Sequence, residues 1–275
     1  MDPRRPTDDE WNEISGLFPS LYRPDCWITG EPTKAYNCIA FSIGSTNRWI
    51  KPDSPLADFQ KQYNGFGYQP VVTSTATVDG WGIAPDGAKM THGSRKAVDP
   101  GFRALGLWES KCGSMWQLTH GRKGLNSPTV YGQVLTSFLK STLDGAEGQM
   151  PQLPEMEPEL TGEELSRLSD QAVAQVGDAG LIGQFAVRRE RFLTAIGRSV
   201  YSDTAAFTAL PEFADLVALG SGIVPLVVAQ LGEEEGFFLL EVLDALEPGL
   251  TAIDYDPLSG QQSLARLVAR AWLAR

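Results

Sequence analysis

Three prolines inside eight residues, Pro151, Pro154 and Pro158, divide this chain more firmly than anything else in it. Proline has no backbone N–H to donate and its φ is fixed, so the stretch enters neither a helix interior nor a central strand. Asp144 to Leu160 therefore reads as an extended linker. The 275 residues fall into an N-terminal domain over 1–143, the linker at 144–160, and a C-terminal domain over 161–275. Trp, Gly and Pro are spread through short segments before the linker. After it, Ala, Leu, Val and Glu dominate.

Charge follows the same division. Residues 1–145 carry 15 Lys and Arg against 14 Asp and Glu, whereas 146–275 carry 8 against 20, with no lysine beyond Lys140. Nucleic acid and anionic membranes both need a positive surface, so neither is expected as a partner of the C-terminal half. A protein or peptide partner is expected instead, and the sequence leaves the oligomeric state open. The beginning Met-Asp-Pro-Arg-Arg-Pro has no apolar stretch after its arginines, and no apolar run approaches the ~20 residues of a membrane span. The expected location is the cytoplasm, with export by a route that needs no leader left open. Cys26, Cys38 and Cys112 are odd in number and lack CxxC spacing, which suits neither a disulfide framework nor a zinc ribbon. Reduced thiols are expected, and no cofactor.

In the first half, Tyr36 to Ile43 is a short apolar run closed by Gly44, which predicts a buried helix. Pro70 to Thr77 is β-branched and predicts a strand. Trp81 to Ala84 and Lys89 to His92 flank the turn sequence Pro85-Asp86-Gly87 and predict a hairpin. Leu107-Trp108 and Trp116 to His120 are shorter strand candidates. Ser127-Pro128 places a capping residue before a first-turn proline, which predicts a helix to about Ser141. These elements make an α+β domain. In the second half, Thr161-Gly-Glu-Glu164 matches a capping box. Helices are expected at about 162–176, 182–200, 211–219, 223–231, 236–246 and 260–274. The result is an all-helical domain, either a small bundle or stacked helical hairpins resembling HEAT-type repeats.

The chain's two histidines, His92 and His120, both lie in the N-terminal half. Cys38, preceded by Asn37, stands at the start of the expected buried helix. Unpaired backbone N–H groups and the positive end of the helix dipole favour the thiolate there. A neutral imidazole within reach of such a thiol completes a minimal nucleophile and base. A plain core thiol is the alternative for Cys38, and hydrogen-bonded or surface roles are the alternatives for the histidines. Cys26 and Cys112 are expected to be structural. Zinc held by Cys38, Cys112, His92 and His120 has acceptable ligand types but no close ligand pair. Ser110-Lys111 reads as a turn.

A Cys-led small apolar helix followed by a hairpin with His on its second strand resembles the papain-like fold, especially its bacterial amidase branch. Carried over residue by residue, the resemblance implies Cys38 as nucleophile, His92 as general base and His120 as the group orienting His92. Papain-like proteases place an oxyanion donor several residues before the cysteine. No Gln or Asn stands there, and Asn37 adjoins Cys38 instead. Tyr36-Asn37-Cys38-Ile39-Ala40, Thr91-His92-Gly93, Trp108 to Gly113, His120 and Tyr131-Gly132 also resemble an uncharacterised bacterial domain family over about residues 18–140, which implies no activity. The expected function is a cysteine-dependent hydrolase or acyl-transferase acting on an amide, peptide or glutamine carboxamide through a thioester. The rival is a non-catalytic interaction protein, a degenerate papain-like domain with a helical adaptor.

Overall fold

Trp81 and His92 face each other across an antiparallel ladder at the centre of the first half of the molecule. The ladder joins β3 (Val78–Ile83) to β4 (Lys89–Lys96) in a computed structural model that describes residues 2–83, 88–141 and 153–275. The expected hairpin is present, and its turn, Pro85-Asp86-Gly87, lies outside the described residues. Around it are β1 (Ile28–Gly30), β2 (Tyr68–Pro70), β5 (Trp108–Lys111), β6 (Gln117–His120) and β7 (Gln133–Lys140). Together they form one seven-stranded antiparallel sheet in the order β1-β6-β5-β4-β3-β7-β2.

Four helices accompany the sheet: α1 (Asp8–Leu17), α2 (Cys38–Ser42), α3 (Leu56–Gly65) and α4 (Pro100–Ala104). Thr7 and Glu10 cap α1 reciprocally, the capping box that Thr161 and Glu164 repeat later in the chain. Ile14 of α1 and Phe18, which caps its C-terminal end, belong to a buried cluster with Trp81, Leu118 and Tyr131. A separate aromatic cluster seats α3, where the Tyr63 and Phe138 rings stack with centroids 4.5 Å apart.

Two expected elements are corrected. Residues 133–140 are β7, not the end of a helix from Ser127. Ser127 and Gly132 exchange both backbone hydrogen bonds, closing a tight turn where capping was expected. Gly132 adopts φ +74°, which aims the chain into the sheet between β3 and β2. Pairing on both sides outweighs the local helix-start signal. The strand expected over 70–77 is β2 at Tyr68–Pro70 followed by turn residues, with Val72 exposed. β-Branched composition there reflects no ladder, since β-propensity records packing on a half-buried sheet more than a backbone preference.

The described chain divides into two units. One comprises Met1–Leu153 together with Ser199–Ser202, the other Pro154–Arg198 with Asp203–Arg275. The second unit is helical: α5 (Gly162–Val176), α6 (Ala179–Gly197), α7 (Pro211–Val217), α8 (Val224–Leu231), α9 (Leu240–Leu246) and α10 (Gln261–Leu273), with short 3-10 turns between several of them. Phe192, Leu216, Val227 and Leu243 are fully buried in it. The later part of the expected linker, from Pro154, belongs to this unit. Arg270 on α10 pairs with Glu157 and Glu164 and donates to the carbonyls of Pro158 and Glu159. Among the described residues, no single helix is long and apolar enough to cross a membrane.

Candidate functional site

Asn37 caps α2, its Oδ1 accepting from the Ala40 N–H at 3.3 Å. Cys38 is therefore the first helical residue, and its Sγ accepts from the Gly93 N–H at 3.4 Å. Paired residues of β4 and β5 are Arg95 with Glu109 and Lys96 with Trp108. Gly93, outside those pairs, meets the thiol instead of a β5 carbonyl. The expected short apolar helix is present, and it carries Cys38 to the residue that follows His92.

The histidines are joined by Ser110, which is expected in a turn and stands instead in a strand. Ser110 lies on β5, and its Oγ is 2.9 Å from His92 Nε2 and 2.9 Å from His120 Nε2. His120 Nδ1 is 2.8 Å from the Gly121 carbonyl. These contacts determine the protons of the whole chain. A carbonyl only accepts, so His120 Nδ1 carries a hydrogen and, in the neutral ring, Nε2 offers a lone pair. Ser110 has one hydrogen and gives it to His120, so its oxygen accepts from His92 Nε2–H. His92 Nδ1 is left as a bare lone pair, and this buried atom has no hydrogen-bond partner among the described residues. Ser110 stands between His92 and the residue expected to orient it, His120.

Cys38, His92 and His120 are all fully buried. Burial holds the His92 imidazole well below its usual titration range, with the neighbouring His120 adding to the effect. It lowers His120 to about 4. The neutral tautomers deduced above are thus the resting ones. Burial also pushes the Cys38 thiol up to about 11, although the Ser202 hydroxyl, the Gly93 N–H and Lys111 favour its ionised form. Desolvation outweighs the helix start, and the thiolate expected from the sequence is not the resting form.

Tyr131 stacks on His92 with centroids 3.9 Å apart, and its hydroxyl donates to the Val200 carbonyl at 2.7 Å. Asn37 Nδ2 donates to the carbonyls of Ile50 at 2.6 Å and Ser202 at 3.2 Å. Trp49 Nε1 donates to the same Ser202 oxygen at 2.9 Å. Lys111, also on β5, spends its three ammonium hydrogens on the carbonyls of Thr33, Gly113 and Met115. Burial lowers it to about 7, while the neighbouring Cys112 and Cys38 thiols favour the charged form. Cys26 and Cys112 are buried free thiols, both pushed up to about 12 by burial.

Surface clefts lie beside Gly82 and Gln133, beside Ser42 and Arg95, and, in the helical unit, beside Arg189 and Gln230. None of these is lined by Cys38 or His92. No group of three or more His, Cys, Asp or Glu side chains is placed to hold a metal ion among the described residues.

Sequence reasoning missed Ser110, Trp49, Tyr131 and the segment Ser199–Ser202. Trp108, Ser110 and His120 share one face of the β5–β6 ladder, in which Trp108 is paired with His120. The two-residue period puts Trp108 and Ser110 on one side of a strand, but only the pairing register brings His120 to it. Nothing in the sequence signals that residues 199–202 join the first unit.

A family described as a domain of unknown function (DUF7689) matches residues 27–139. The matched stretch contains Asn37, Cys38, Trp49, His92, Ser110, His120 and Tyr131, and ends before Ser199. No curated protein matches the chain, and no solved structure does.

Proposed function

We propose that the first unit is a papain-like cysteine hydrolase or acyl-transferase, acting on an amide, peptide or glutamine carboxamide. The observation that carries this reading is the bare Nδ1 of His92, a lone pair held in one tautomer by Ser110, His120 and the Gly121 carbonyl. In this reading His92 Nδ1 takes the Cys38 proton as the sulfur attacks the carbonyl carbon. The imidazolium then returns that proton to the leaving amine as the carbon–nitrogen bond breaks, leaving a thioester. Water gives hydrolysis by the same steps and a second amine gives transfer, so both products share one intermediate. Ser110 and His120 hold the ring and carry no substrate proton.

Peptide and glutamine-amide turnover measured on the native chain, Cys38→Ala and His92→Ala tests this. Both variants should lose activity by about 10³-fold or more, with Cys38→Ala keeping its fold. Wild-type turnover in either variant removes the reading.

Full burial of Cys38 and His92 favours a second reading, a non-catalytic interaction protein in which the same residues form a polar core and the acidic helical half, bundle or HEAT-like, serves as adaptor. It predicts no turnover of any amide and a strong loss of melting temperature in Cys38→Ala.

A further inference from the structure

The four residues Ser199-Val200-Tyr201-Ser202 belong to the first unit although they lie far beyond residue 153 in the chain. They have no regular secondary structure. What holds them is their main chain. The Ser199 carbonyl accepts from the Ser114 N–H at 2.9 Å, and the Val200 carbonyl from the Tyr131 hydroxyl at 2.7 Å. The Ser202 carbonyl accepts twice, from Trp49 Nε1 at 2.9 Å and Asn37 Nδ2 at 3.2 Å. Approach is close enough that a Cβ on Gly113 would stand 2.4 Å from the Val200 carbonyl carbon and 2.6 Å from the Ser199 oxygen.

The side chains sort by position. Val200 is buried in the apolar cluster, Tyr201 is 38% exposed, and Ser202 is buried. The Ser202 hydroxyl has no hydrogen-bond partner of ordinary geometry, yet it lies against the Cys38 thiol closely enough to favour its ionisation. Two side-chain N–H groups converging on one peptide oxygen, next to a thiol, form an arrangement that polarises a carbonyl.

We propose that Asn37 and Trp49 form a carbonyl-binding subsite for a short peptide carrying a small hydroxyl residue beside Cys38, and that Ser199–Ser202 is the chain's own occupant of it. Recognition runs through main-chain carbonyls, so the ligand class is a peptide with an apolar residue two places before the small one and an unconstrained residue between. As a statement about substrate this rests on the acyl-transfer reading. As a binding site it stands without it.

The test reads Cys38 alkylation by iodoacetamide in the full-length chain, with Cys26 as the internal measure of global opening. Reaction of a buried thiol reports the population in which its cover is lifted. Gly113→Ala should displace the segment and speed Cys38 alkylation at least about tenfold with Cys26 unchanged, since the new methyl overlaps backbone that cannot shift without leaving. Adding the peptide acetyl-Arg-Ser-Val-Tyr-Ser-Asp-amide in trans should restore protection in proportion to its concentration. An unchanged Cys38 rate, or no protection by millimolar peptide, overturns the proposal. If Cys38 and Cys26 accelerate together the fold is lost, and Trp49→Phe decides. Losing one donor to the Ser202 carbonyl should then speed Cys38 alone by roughly fivefold, the worth of one hydrogen bond, and an unchanged rate overturns the proposal. Mass analysis of the added peptide separates the two claims. Cleavage after its second serine that disappears in Cys38→Ala supports both, whereas protection without cleavage supports the subsite and removes the acyl-transfer reading.

Discussion

Ser110 is one hydroxyl serving two buried imidazoles, and removing it leaves both Nε2 atoms without a partner. Unsatisfied buried polar groups cost about 1–3 kcal/mol each, so Ser110→Ala should lower stability by at least about 2 kcal/mol in denaturant titration. If the acyl-transfer reading holds, the same variant frees the His92 tautomer and lowers kcat with little change in KM. The histidines also set a pH dependence. Their folded pKa values lie below the unfolded value near 6.5, at about 4 for His120, so between those limits the unfolded chain binds protons that the folded chain refuses. The histidines' contribution is therefore full above about pH 6.5 and falls as the pH drops towards 4. Glu10, lowered to about 2 by Arg4, continues the loss below its unfolded value of 4.5. Melting temperatures at pH 7.5, 5.5 and 4 should decline in that order, and His120→Gln should flatten the upper part of the decline. At this scale the sequence was informative about residue type and silent about connection. Two histidines and one helix-start cysteine are visible in any reading of the chain. The hydroxyl joining the rings is visible only once Trp108 is known to pair with His120.

Among elements, the helical half was legible because its signals are local. Thr161 and Glu164 cap each other as their spacing predicts, and α5 occupies the expected 162–176. The same capping pattern at Thr7-Asp-Asp-Glu10 opens α1. In the sheet, local signals competed with partners far away in sequence, and β7 is where the partners won. Gly132 makes that possible. A Cβ there would stand 1.8 Å from the Gly82 carbonyl oxygen, in a conformation that L residues already disfavour. Gly132→Ala should therefore cost at least about 2 kcal/mol, counting left-handed strain together with displacement of backbone. Thermal melts of the variant check this, and a loss below about 0.5 kcal/mol would show that the turn relaxes freely.

For the whole molecule, residues 144–152 of the expected linker lie outside the described residues. From Pro154 onwards the linker is tied to α10 through Arg270, Glu157 and Glu164. Limited proteolysis should accordingly cut before Pro154, and Arg270→Ala should extend cleavage into 154–160, as fragment masses will show. The proline cluster made the change of composition legible, but it could not reveal that four residues after α6 return to the first unit, because no local pattern marks them. That return also imposes an order on birth. A ribosome adds roughly 5–20 residues per second, so after Lys140 completes the last strand, about 3–12 s pass before Ser202 exists to accept from Asn37 and Trp49. Each nascent chain thus spends its first seconds with Asn37 Nδ2 and Trp49 Nε1 lacking the Ser202 oxygen, a window in which a passing peptide carbonyl meets donors that later serve the chain itself.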